Sequence, residues 1–167
     1  YYLKAPADKI TIEFVDPQGH SIRAFTGSAE AAKEPAAADR PAGEEAGEEG
    51  FRPPPPRVDV KAGMNRFTWD MRYPGAHEFP GLIMWAGSTR GPIAPPGRYT
   101  VKLTAPDGMT RTQEFVIKRN EAVKTISDAD LQAQFALAKQ INDKVSAAND
   151  TVIRIRAIKD QIAARLS

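Results

Sequence analysis

The side chains able to do chemistry are few, and their spacing does not favour it. The two histidines, His20 and His77, each fall in a turn or loop region. Neither has a second histidine or carboxylate at the spacing a metal site uses, so both read as exposed and inert. The chain has no cysteine, which excludes disulfides, thiolate metal sites and cysteine nucleophiles. Ser28, Ser88 and Ser167 lie outside any G-x-S-x-G elbow. The GSTRG run at 87–91 lacks the lysine and following helix that phosphate cradling needs. Asp70, with Arg72 two residues on, could serve as a general base or sugar ligand. A glycosidase, however, needs two opposed carboxylates, and Glu78 is the only other acid nearby. The pair is therefore expected to be an ion pair flanking a buried Trp69. These residues predict no catalytic group, no cofactor and no metal.

Aromatic chemistry is the exception. Tyr73, Phe79 and Trp85 occur in the loop YPGAHEFPGLIMWAG. Exposed rings of this kind stack on sugars or dock onto a neighbouring domain. In the alternative reading, Ile83, Met84 and Trp85 fold back and cap the end of a sandwich. We take Tyr73, Phe79 and Trp85 as the candidate interaction residues.

Two alternating patterns bracket that loop. Residues 65–71 set Phe67, Trp69 and Met71 on one face and Arg66, Thr68 and Asp70 on the other. Residues 98–104 repeat this with Tyr99, Val101 and Leu103 facing in. Earlier, residues 9–15 (KITIEFV) put Ile10, Ile12 and Phe14 on one face, and Asp16-Pro17-Gln18-Gly19 supplies a turn. The returning strand covers 21–25. Pro106-Asp107-Gly108 turns the chain into a strand over 109–118. Residues 27–57 are low in apolar bulk and rich in Ala, Glu, Pro and Gly, so they are expected to form a flexible acidic insertion. No helical pattern separates the strands, which argues against a parallel sheet. The expected fold is mainly β with a helical appendage: an antiparallel immunoglobulin- or fibronectin-like sandwich over 1–120, then a long helix over 121–167.

The helix opens at Ser127 with Asp130 three residues later, a capping box. Apolar residues then recur every three or four positions from Leu131 to Leu166 without Gly or Pro. At 1.5 Å per residue such a helix extends about 60 Å. Its stripe is expected to pack on another helix, downstream or in a second copy. Arg154, Arg156, Lys159 and Arg165 read as a solvated flank of that helix.

Net charge is +2, too near neutral for a dedicated nucleic-acid binder. No apolar run reaches the roughly 20 residues that span a bilayer. The chain opens on Tyr1 without Met and closes inside a helical pattern, so both ends are expected to be cuts through a larger protein.

The series YYLK, D-P-x-G, AGMNRFTWDMRYPGA, GPIAPPGRYTVKL and the capped helix resembles the region that follows the β-propeller in bacterial proteins with sortilin-like or BNR repeats, often labelled glycosyl hydrolases. NRFTWDMRY followed by APPGRYTVKLTAPDG also resembles the immunoglobulin-like domain of flagellar-hook-cap proteins. The resemblance covers nearly the whole chain except 27–57. It implies an extracellular or periplasmic multidomain protein whose ligand-binding surface lies on the propeller. This chain would then be a non-catalytic accessory module, with other domains of the same polypeptide as its partners. The open alternatives are a carbohydrate-binding module built on the loop aromatics and a helix-mediated oligomerisation module.

Overall fold

The computed structural model describes residues 1–30, 56–85 and 87–166. Most of the expected acidic insertion therefore lies outside the described residues. Among the described residues seven elements follow in order: β1 Tyr2–Leu3, β2 Lys9–Val15, β3 Ser21–Ser28, β4 Gly63–Met64, β5 Gly97–Thr104, β6 Thr110–Ile117 and α1 Asp128–Leu166. The fold is mainly β, with two antiparallel sheets arranged as a β-sandwich and a long C-terminal helix. The larger sheet has the order β3-β2-β5-β6, and the smaller pairs β1 with β4.

The chain divides into two compact units. The first comprises Tyr1–Trp69 and Arg98–Phe115; the second comprises Asp70–Gly97 and Val116–Ser167. This differs from a division at residue 120. The aromatic loop runs from Trp69 to β5 in the sequence, and it is grouped with the helix in the second unit.

In the first unit, the alternation in β2 is realised directly. Ile10, Ile12 and Phe14 are buried together with Ile22 and Phe25 of β3 and Tyr99 of β5. On the opposite face, Thr11 meets Thr26 across the β2–β3 ladder at 3.2 Å. Glu13 lies opposite Lys102 in register, with 3.5 Å between their charged groups. The Ser21 hydroxyl first, and Lys102 second, hold the Glu13 carboxyl below its ordinary range. The β2–β3 turn is held by Asp16, whose carboxylate accepts the Gln18 and His20 N–H groups at 2.9 and 2.8 Å. Gly19 there has φ +86°.

Residues 65–69 do not form the expected strand, although their side chains alternate as one would. Phe67 and Trp69 turn inward and Arg66 and Thr68 outward. Trp69 stacks on Phe14 with ring centroids 4.2 Å apart and planes 17° apart. Phe25, Phe67, Tyr99 and Phe115 complete the aromatic core. Side-chain burial holds this segment where ladder hydrogen bonds do not. The predicted inward-facing Met71 is instead 45% exposed with φ +55°, because the chain leaves the first unit at Asp70.

No helix among the described residues is long and apolar enough to cross a membrane.

Candidate interaction site on the loop–helix unit

The second unit is built from a long irregular loop and a helix. Residues 70–97 double back on themselves. Tyr73 N–H donates to the Pro92 carbonyl at 2.9 Å, Ala76 N–H to Thr89 at 2.8 Å, and Ala94 N–H to Met71 at 2.7 Å. Arg72 reinforces this turnback through its guanidinium, which donates to the Gly91 carbonyl at 2.8 Å. The two limbs come so close that a Cβ at Gly91 would sit 2.0 Å from the Tyr73 carbonyl oxygen. Glycine is required there by contact rather than by backbone conformation.

Helix α1 starts as its capping box predicts. Ser127 N–H and Oγ both donate to the Asp130 carboxylate, at 2.8 and 2.7 Å, and Asp130 N–H returns a bond to Ser127 Oγ at 3.2 Å. Those bonds keep the Asp130 carboxyl below its ordinary range. Ahead of the helix, Arg119 holds the entry segment by donating to the Val123 and Ile126 carbonyls and pairing with Asp128 at 3.2 Å.

The loop lies along the helix. Gln132 donates to the Pro96 carbonyl at 3.0 Å. The Tyr73 ring packs on Phe135 with centroids 4.7 Å apart. His77 is held at three points. Its N–H donates to Ser146 Oγ at 3.2 Å, its carbonyl accepts from Asn149 Nδ2, and its Nδ1 lies 2.9 Å from an Asp150 carboxylate oxygen. Further along, Arg156 sits over the Phe79 ring, 4.6 Å from the centroid, and donates to the Pro80 carbonyl at 2.8 Å. On the helix, Leu131, Phe135, Ala138, Asn142, Val145, Ser146, Asn149 and Val152 are buried or half-buried, and residues 153–166 are exposed. From the predicted apolar stripe, Phe135 thus packs on the chain's own loop, on Tyr73, where a second helix was expected.

The three aromatic candidates separate accordingly. Tyr73 and Phe79 contact the helix. Trp85 is 88% exposed, with Ile83 beside it 61% exposed, so neither folds back as a cap. Trp85 also has φ +43°, an unfavourable conformation for a bulky residue.

The possible chemical groups stay apart. His77 and Asp150 form half of a charge-relay arrangement, but no described residue hydrogen-bonds the imidazole Nε2. Ser146 Oγ faces backbone, donating to the Asn142 carbonyl at 2.9 Å. Asp70 accepts the Arg72 N–H at 3.1 Å and Glu78 accepts the Thr89 hydroxyl. His20 pairs with Asp16 at a surface turn of the first unit. No group of three His, Asp or Glu among the described residues could hold a metal ion.

Sequence reasoning missed the His77–Asn149–Asp150 clamp. Asn149 is 7% exposed within the unbroken helix. The available signal was the polar pair Asn149-Asp150 interrupting the apolar stripe, since a buried amide requires a hydrogen-bond partner.

No family model, curated protein or solved structure matches this chain.

Proposed function

We propose that this chain is a non-catalytic interaction module of a larger exported protein, and that it docks onto another domain of the same polypeptide through Trp85. One observation carries the reading: the 88% exposed indole of Trp85 stands on a left-handed backbone, in a loop whose earlier residues, Tyr73 to Pro80, are fastened to the helix. A bulky residue at φ above zero costs on the order of 1–3 kcal/mol. An exposed Trp contributes nothing to a core in return, while Trp is among the residue types enriched at binding hot spots. The resemblance to post-propeller regions supplies the partner, a β-propeller on the same chain.

The test compares the isolated chain with the longer polypeptide that contains it. Acrylamide should quench Trp85 freely in the isolated chain and poorly in the longer one. Trp85→Ala should release the module without lowering its melting temperature. Equal quenching in both contexts would remove the docking role. Loop aromatics acting on carbohydrate would instead show as a Trp85 fluorescence change on titration with polysaccharide.

A further inference from the structure

A second feature of the loop–helix unit is a groove of about 600 Å³, lined only by residues of that unit. Its floor is the helix face carrying Leu131, Phe135, Ala138, Ile141 and Val145, and its opposite wall is the stretch from Pro92 to Pro96. Ile93 and Ile141 stand at its edge, 55% and 57% exposed. Four cationic side chains border it: Arg72, Arg90, Lys118 and Arg119. No carboxylate among the described residues lines it. This is not the average character of the chain, where 23 basic residues face 21 acidic ones. Nor is it the character of the smaller hollow by His77, lined by Lys139, Asp143 and Asp150 together.

Two of the four cations already have tasks. Arg72 donates to Gly91 and Arg119 pairs with Asp128. The side chains of Arg90 and Lys118 have no ion-pair partner among the described residues. The groove thus combines an apolar trough, of a size that accepts small ligands, with unpaired positive charge at its rim.

We infer that this groove binds a single-chain amphiphile: an apolar tail laid along the Leu131–Val145 face and an anionic carboxylate head met by Arg90 and Lys118. Charge complementarity selects the head. An amine or quaternary ammonium would be repelled by Arg90 and Lys118, which no carboxylate of the groove offsets, and a neutral head would leave both without an ion-pair partner. Burial of each additional methylene is worth about 0.8 kcal/mol, or roughly fourfold in affinity.

Isothermal titration of the chain with octanoate, decanoate and dodecanoate, each below its micellar concentration, tests this. The dissociation constant should fall by several-fold per added methylene. Dodecanoate should bind at least tenfold more tightly than dodecyltrimethylammonium, and more tightly than dodecanol. The double substitution Arg90→Gln with Lys118→Gln touches only exposed side chains, and should remove most of the preference for carboxylate over alcohol. Ile141→Asp, at an exposed helix position, should weaken every tailed ligand about tenfold while leaving the far-ultraviolet circular dichroism unchanged.

The inference is overturned if dodecanoate does not bind, if the ammonium binds as tightly, or if the double substitution leaves the head-group preference intact. It is also overturned if sedimentation shows a dimer that Ile141→Asp dissociates while dodecanoate has no effect, which would assign the groove to a second copy of the chain.

Discussion

The two units are held together by different means. In the first, Phe14 contacts four other rings: Phe25, Phe67, Trp69 and Phe115. The strands around this cluster follow the period-two pattern that buries it. In the second, a loop with little regular structure is held to a helix by directional bonds to its backbone: Gln132 to Pro96, Asn149 to His77, Arg156 to Pro80. Hydrophobic burial is non-directional and tolerates some rearrangement. A side chain bonded to one particular carbonyl does not. The first unit should therefore lose stability in proportion to the volume removed, and the second through single polar or steric changes.

The largest effect should come from the first mechanism. Phe14→Ala removes a ring that is 7% exposed and should cost about 3–5 kcal/mol, read from the urea midpoint. A loss under about 1 kcal/mol would mean that the cluster is not the core. Next comes Gly91→Ala, whose Cβ would overlap the Tyr73 carbonyl. It should open the turnback at a cost of about 2–4 kcal/mol, seen as faster amide exchange over 70–97 while β2 and β3 stay protected. Equal loss of protection in β2 would erase the distinction between the units.

Asn149→Ala should cost about 1–3 kcal/mol, because it leaves the His77 carbonyl without that bond and empties a buried position. Asn149→Asp should be no better, since a carboxylate cannot donate to a carbonyl. If Asp rescued the variant, the donated bond would not be what holds the loop.

The smallest effect concerns pH. Ser127 depresses the Asp130 carboxyl in the folded chain. The associated stability is present above the ordinary carboxylate pKa of about 3.9 and is lost as pH falls through the lower folded value. Amide exchange over the first helical turn should rise across that acidic window, and Asp130→Asn should abolish the change.

Legibility in the sequence followed the same division. The strands of the first unit could be read because alternation in KITIEFV and GRYTVKLT reports which face is buried, whatever lies on the other side. Phe67 and Trp69 were assigned inward on the same grounds, and they are inward, although the backbone carrying them pairs with no strand among the described residues. Alternation specifies facing and leaves hydrogen bonding open. The helix could be read from its capping box and three-four spacing, but its partner could not. An apolar stripe states that something covers it without stating what. Tyr73, Phe79 and Trp85 are alike in composition and neighbourhood. Only the positions of Phe135 and Arg156, far along the chain, distinguish the two rings that meet the helix from the one that stands out.

By itself, then, the amino-acid sequence determined the local elements: the alternating strands, the Asp-Pro-Gln-Gly and Pro-Asp-Gly turns, the Ser127–Asp130 cap and the long helix. These depend on interactions between residues a few positions apart. Tertiary structure decided the rest. It moved the 70–97 loop from the sandwich to the helix, set His77 against Asn149 and Asp150, left Trp85 exposed, and gathered four cations around one apolar trough. Each of these joins residues that are distant in the chain, and such pairings arise from shape and from the need to satisfy buried polar groups, neither of which has a period to read.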